Sequence, residues 1–459
     1  MPNYIAFYIY TQYNKMIYYV ISFLKIQKKQ VVAMKRFLLN PENSARDSYL
    51  WNMVSNMTNA FQSVLLLAIM TRTVGLTEAG IFSIAYANAN LLLALGGYGM
   101  REFHNTDVGH KFSFSTYRSA RLVTILAMLL TAVISCLISA ARQDYSNYKT
   151  AVMILMCVWR AVDAFEDVYA GQYQSNDRLD VGAKVMALRM LASLAAFCAG
   201  LILLQDLLIA LVIAIVTAVA ADLLLLTMTR HIAGEKAGRA KLKDVFVLLK
   251  TCAPLCVAGF LTLYIGNAPK YAIDRILSDE LQACYGFVAM PVFVIGLLNG
   301  FVFNPIMYRM SLMWQTNQIS AFARRVIIQI GIVAAITAVC ELGAFLLGIP
   351  VLSWLYNTDL TAYKDELLML LLGGGFLSLA NLCASVLTIM RKHRYTMYMN
   401  LTVAAVALFT ANYFVEKFQL FGAAAMYVCL MALLFLLAGS TVAILIMRQT
   451  KNEKESKRN

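Results

Sequence analysis

About twelve apolar stretches, each roughly 18 to 24 residues long, alternate with short polar loops along this chain. A run of roughly 20 apolar residues at 1.5 Å per residue matches a hydrocarbon core of about 30 Å, and a helix crosses it with every backbone group satisfied. The pattern predicts an all-α membrane protein, a polytopic bundle of about 12 transmembrane helices. The predicted spans are Tyr49–Met70, Ala79–Met100, Leu122–Ala141, Thr150–Ala170, Val181–Leu204 and Leu207–Met228. After a basic break come Val245–Ile265, Ala283–Ile306, Val326–Leu347, Leu367–Met390, Met397–Phe414 and Gly422–Met447. Six and six spans suggest two pseudo-symmetric six-helix lobes, 34–229 and 245–447, with a cytoplasmic linker at 230–244 and a charged cytoplasmic tail at 448–459.

The loops carry the charge that orients the bundle. If the first span starts in the cytoplasm, the inner segments hold about 26 Lys and Arg and the outer ones about 7: Arg72, Arg142, Lys149, Lys270, Arg275, Lys364 and Lys417. Both termini are thus expected in the cytoplasm. Topology also accounts for the net charge of +14, which in a soluble domain would point to nucleic acid; no nucleic-acid partner is expected. With 60% hydrophobic and 14% charged residues the chain lies far from the balance of a soluble globular protein.

Residues 1–33 fit no span, because the apolar runs Tyr4–Tyr10 and Met16–Leu24 are short and are split by Gln12, Asn14 and Lys15. They lack the small-residue cleavage site of a signal peptide. Met34-Lys35-Arg36 makes a natural start, so the extension reads as a misassigned start or as an interfacial, disordered tail. A faint likeness links the halves, either an internal repeat or chance similarity between short hairpins. Arg72 through Phe82, and Arg275 through Glu280 with Tyr285-Gly286-Phe287, each place an Arg at a helix end, an acid in the turn and a Gly beside an aromatic.

Intramembrane charge is the sharpest chemical signal, at about 2.5–3.5 kcal/mol per group at mid-span. Arg160 falls near the midplane of the fourth span, and Asp163 and Asp167 share its face at i+3 and i+7, while Glu166 is expected to point elsewhere. Arg189 and Asp222, in the next two spans, fall at the depth of Asp163. Such a layer serves either as a static network pinning three helices or as a cation site for an anionic headgroup with a carboxylate that takes up a proton. In the first span Asn52, Asn56, Asn59 and Ser63 recur at i, i+4, i+7 and i+11, flanked by Ser55, Thr58 and Gln62. That stripe either bonds neighbouring helices or lines a water-filled cavity, whose wall Asn88, Asn90, Thr262, Tyr264, Asn267, Asn299 and Asn381 would extend. Pro254, Pro291 and Gly373-Gly374-Gly375 are expected kinks.

No enzyme constellation appears. The nine cysteines lie mainly within apolar spans, the four histidines fall in polar loops, and there is no nucleotide-binding glycine loop, so no metal or cofactor is expected. The longest outer loop, Pro350–Glu366, is too short for the external domain of a glycan polymerase or transferase.

Particular residues then point to a family. Asp163-Ala164-Phe165-Glu166-Asp167-Val168-Tyr169-Ala170-Gly171, continuing through Gln174 to Arg178-Leu179-Asp180-Val181 and Lys184, resembles the end of helix four and the following inner loop of the polysaccharide-biosynthesis flippases. These are the O-antigen and capsule exporters of the multidrug/oligosaccharidyl-lipid/polysaccharide superfamily. Leu50-Trp51-Asn52, Arg72 to Phe82, Gly99-Met100-Arg101 with Asp107, Lys111-Phe112-Ser113-Phe114 with Tyr117 and Arg121, and Asn267 to Asp274 are similar too. Glu102-Phe103-His104-Asn105 departs from the family pattern. The resemblance, over about Arg46 to Met447, implies a bacterial inner-membrane transporter that turns over an oligosaccharide on undecaprenyl pyrophosphate by alternating access. It implies that Arg160 or Arg189 holds the phosphates, that Asn52, Asn56, Asn59, Gln62 and Asn88 meet the sugar, and that Asp163, Asp167 or Asp222 couples a proton or sodium gradient. The alternative is a cation-coupled multidrug antiporter of the same superfamily, with a polymerase or transferase as the rival from another class.

Overall fold

A computed structural model describes residues 32–40, 44–106, 111–143, 145–234, 240–392 and 394–456. Most of the leading extension, Asp107 and His393 lie outside them. Among the described residues all regular structure is helical. A short helix α1 (32–39) precedes α2 (Ser44–Thr73), α3 (Leu76–Gly97), α4 (Met100–Thr106), α5 (Phe114–Gln143), α6 (Asn147–Ser175), α7 (Leu179–Leu204) and α8 (Leu207–Thr229). The second half holds α9 (Leu242–Ile276), α10 (Asp279–Ala289), α11 (Val292–Gln315), α12 (Ile319–Gly343), α13 (Ile349–Tyr356), α14 (Lys364–Ile389) and α15 (Arg394–Ser456).

Among the described residues ten helical segments are long and apolar enough to cross a membrane. The 29-residue α6 is long enough too, but carries Lys149, Arg160, Asp163, Glu166 and Asp167. The 63-residue α15 would run about 95 Å if straight. It breaks at Gln419, where φ is 50° and ψ −131°. Beyond the break Gly422 lies so close to the Phe414 carbonyl that an added Cβ would sit 2.0 Å from it, which requires the chain to fold back.

Helices pack chiefly within each half: α2 on α7, α3 and α5 on α6, and α8 on α6 and α7, against α14 and α9 on α15 and α11 on α12 and α14. The halves meet where α3 packs on α9 and α10. Of the expected kinks, Pro291 sits at the break between α10 and α11, whereas Pro254 lies inside the unbroken run of α9. The glycine triplet is a correction, since α14 runs on through it. Added Cβ atoms at Gly373, Gly374 and Gly375 would fall 2.5 Å from Tyr427, 2.8 Å from Val292 and 2.5 Å from Thr337. The triplet therefore lets three helices approach α14 closely.

Several helix ends outrun the hydropathy. The seventh span was expected to stop at Ile265, yet α9 continues to Ile276 and carries Lys270, Asp274 and Arg275 inside it. Where the loop Pro350–Glu366 was expected to begin, α13 (Ile349–Tyr356) continues from a π-helical turn (Ala344–Gly348) at the end of α12. Both extensions put polar side chains on helices at the predicted outer end, where satisfied backbone needs no apolar run.

The two short hairpins meet there. Thr77 donates to Glu280 at 2.6 Å, Gly80 lies against the Asp279 carbonyl and Gly286 against Ser83, so each hairpin offers the other a glycine. Lys149 bridges the halves, 2.8 Å from Asp274 and 2.6 Å from Asp279. The Tyr145 hydroxyl donates to Asp274, and burial, with that carboxylate beside it, holds the phenol well above its ordinary pKa.

Candidate functional site

The site is built on α6. Ser146 caps this helix, its hydroxyl accepting the Lys149 N–H at 3.1 Å, which sets the register of every charge downstream. One turn beyond Arg160, Asp163 takes its Nη1 on Oδ2 at 2.6 Å. The other oxygen of Asp163 receives Arg189 Nη1, from α7, at 2.5 Å. Asp222 of α8 completes the expected layer, with Oδ1 3.8 Å from Arg189 Nε.

Glu166 corrects the expectation that it points elsewhere: its Oε2 lies 2.5 Å from Arg189 Nη2 and 2.9 Å from Nε. The long guanidinium of Arg189 reaches round the helix to both carboxylates. The cluster thus sets two guanidiniums against three carboxylates, and neither oxygen of Asp222 has a hydrogen-bond partner.

The two arginines differ in what they can still do. Arg189 is 2% exposed and committed to three acids. Arg160 has one carboxylate and stacks on Tyr86, 4.5 Å from the ring centroid. It borders a cavity of about 270 Å³ shared with Ser55, Asn56, Asn59 and Asn90, which Asp163, Asp167 and Arg189 also line. A guanidinium with donors to spare, next to amides, suits an oxyanion with hydroxylated substituents.

Asp167 stands apart from this layer. Its oxygens go to Arg121 Nη2 at 2.7 Å and Arg101 Nη1 at 3.3 Å, and Arg121, fully buried, also donates to the Gly96 carbonyl at 2.7 Å. That clamp ties α3, α4, α5 and α6 together at the wall of the Arg160 cavity, which Asp167 also lines. The neighbouring loop motif is likewise structural: Arg178 and Ser44 both bond Asp180, and Lys184 pairs with Asp47 at 2.5 Å while donating to the Phe37 carbonyl. Residues that carry the family resemblance thus anchor α1 and the start of α2.

The polar stripe of α2 is open. Asn56 and Asn59 are exposed, and Asn52 and Asn56 line a cavity of about 630 Å³ whose far wall is Gly296, Leu297, Gly300 and Phe301 of α11. Gln62 is buried, its Oε1 without a hydrogen-bond partner. Asn88 corrects the expected wall. Two residues turn a helix by about 200°, so Asn90 reaches the Arg160 cavity while Asn88 lines a separate one of about 220 Å³ with Tyr264, Tyr271 and Asp274.

Lys270, expected in an outer loop, lies on α9. Gly259, Gly266 and Lys270 recur at i, i+7 and i+11 along α9, and beside both glycines an added Cβ would meet nothing within 4 Å. The placement of Asn267-Ala268-Pro269 beyond an apolar run hid the continuing helix.

Comparisons with known proteins bear on the family and the fold. A family model described as "Polysaccharide biosynthesis protein" matches residues 45–311. A search of curated proteins finds no match. Among solved structures, the lipid II flippase MurJ in an inward closed conformation superposes with a TM-score of 0.67 at 13% identity, covering 85% of this chain and 87% of that one. An inward-facing multidrug resistance MATE family transporter of the MOP superfamily gives 0.58 at 12% identity, covering 87% and 99%. A MOP superfamily transporter from Pyrococcus furiosus, whose structure is described by the reverse polarity of its binding pocket, gives 0.51 at 11%, covering 91% and 97%. These likenesses establish a shared transporter fold.

Proposed function

Because this chain belongs to the polysaccharide biosynthesis protein family, we propose that it flips an oligosaccharide linked to undecaprenyl pyrophosphate across the bacterial inner membrane. In this reading twelve spans form two six-helix lobes with both termini in the cytoplasm, α15 supplying two spans and α6 one. The observation that carries it is Arg160, a buried cation facing a cavity walled by Asn56, Asn59 and Asn90. The pyrophosphate sits against Arg160, the glycan against the amides of α2, and the polyprenyl chain stays in lipid. The ion pairs of Lys149 with Asp274 and Asp279 support a state closed outward and recessed inward between α2 and α11.

Arg189, already matched by three acids, holds Asp163 in place for Arg160. Asp167 is spent on its two arginines. That leaves Asp222, with both oxygens free of hydrogen bonds, as the carboxylate that couples a proton or sodium gradient. A rival reading draws on the Met53, Met57 and Phe301 lining of the larger cavity, which would suit an apolar drug.

The test is a flipping assay on the full chain. Arg160→Ala is expected to lower transport of lipid-linked oligosaccharide by about a hundredfold with normal protein levels, the order expected when a charge-assisted contact to the cargo is lost. Full activity in Arg160→Ala defeats the phosphate assignment. Cells depleted of the protein accumulate lipid-linked oligosaccharide under this proposal; drug sensitivity without that accumulation favours the antiporter.

A further inference from the structure

The second half holds a pocket of opposite character. One face of each of three helices converges on a cavity of about 140 Å³: Asn299 and Phe303 from α11, Gln329 from α12, and Ser378, Asn381 and Ser385 from α14. Among the described residues no titratable side chain lines it. Asn299 and Gln329 are 8% and 5% exposed, and both the Nδ2 and the Oδ1 of Asn299 lack a hydrogen-bond partner. A buried amide with donor and acceptor both unmet costs about 1–3 kcal/mol for each group, so the pocket is matched to a polar guest.

The chemistry of the lining narrows the guest. A phosphate would need a cation, and a divalent metal would need carboxylates. A monovalent cation would use amide and hydroxyl oxygens but would leave the Asn299 NH₂ facing a positive charge. A sugar hydroxyl both donates and accepts, so neighbouring hydroxyls satisfy the two ends of one amide, while Phe303 offers a face to ring C–H groups. The volume exceeds the about 30 Å³ share of a single water and falls short of the about 300 Å³ of a whole drug-sized site, as a subsite should.

Continuity with the first half makes it part of one site. Asn56 lines both the Arg160 cavity and the 630 Å³ cavity, and Gly296 and Gly300 line both that cavity and the neutral pocket. Gly296 is the doorway, because an added Cβ there would meet nothing within 4 Å. We infer that the amide pocket of α11, α12 and α14 is a sugar subsite, which reads a ring of the glycan whose pyrophosphate lies at Arg160 across the bundle. This rests on the proposed function, and it assigns the choice among glycans to the second half.

The experiment uses full-length protein in nanodiscs and two probes: bare undecaprenyl pyrophosphate, and the undecaprenyl-pyrophosphate-linked oligosaccharides extracted from cells depleted of this protein. The wild type is expected to prefer the glycosylated probe by about tenfold or more, the scale of hydrogen bonds lost when a hydroxyl is missing. Asn299→Leu, Gln329→Leu and the doorway variant Gly296→Val each abolish that preference and leave affinity for the bare lipid unchanged, which also shows them folded. Absence of a preference in the wild type, or its survival in all three variants, overturns the subsite. Equal weakening of both probes overturns it in favour of a packing role. Sodium-dependent binding that disappears in the variants overturns it in favour of a cation site. Insensitivity of both probes to Arg160→Ala instead sinks the phosphate reading, and the sugar preference is read separately from it.

Discussion

The α6–α7–α8 cluster and the α11–α12–α14 pocket sit in the two halves of one bundle and solve opposite problems. The first packs Arg160, Arg189, Asp163, Glu166 and Asp222 into a layer in which nearly every charge is answered by another side chain. The second leaves the Asn299 amide without any answering group. Their difference shows why the same depth of burial carries opposite information. Ion pairs in a low dielectric bind so strongly that only the surplus group, Arg160 or Asp222, remains available to cargo or ions. An unmet neutral amide costs far less than an unpaired buried charge, so the polar pocket can stay ready for a guest that comes and goes.

The comparison breaks most readily at Arg189. Arg189→Ala strands Glu166, Asp163 and Asp222 with one guanidinium among them and is expected to destabilise the protein by about 3–5 kcal/mol, seen as lost protein and a lowered melting temperature in detergent. Arg189→Ala at normal stability would mean the cluster is not held by charge. Next comes Gly375→Val, which drives a side chain into Thr337 and is expected to cost about 1–3 kcal/mol by thermal unfolding, because α12 and α14 must part. Unchanged stability there would show that the neutral half is loosely packed. Least costly is Asn299→Ala, expected to leave stability unchanged or to raise it by about 1 kcal/mol, since it removes a buried amide whose donor and acceptor are both unmet. A large loss would place a hidden structural bond in the pocket and take away the contrast with Arg189.

Legibility followed the range of the interaction. Arg160 and Asp163 were readable because i, i+3 pairing is set by helix geometry alone, and the shared depth of Arg189 and Asp222 followed from rise per residue. Glu166 was not, since its partner lies on another helix and the reach of an arginine is invisible to angular position. Asn88 was misassigned, though it and Asn90 are both amides in one span, because only the packing of α3 decides which side faces which cavity. Lys270 was lost to a helix end, where hydropathy fades before the hydrogen bonding does.

By itself the sequence determined the helical membrane class, most of the spans and the kind of chemistry available, because a bilayer punishes unsatisfied backbone and stray charge residue by residue. Only the tertiary structure decided which charges cancel, which amides stay open and that three cavities share Asn56, Gly296 and Gly300 in their walls. Those outcomes depend on which helices touch, and contact between segments tens to hundreds of residues apart leaves no periodic trace along the chain.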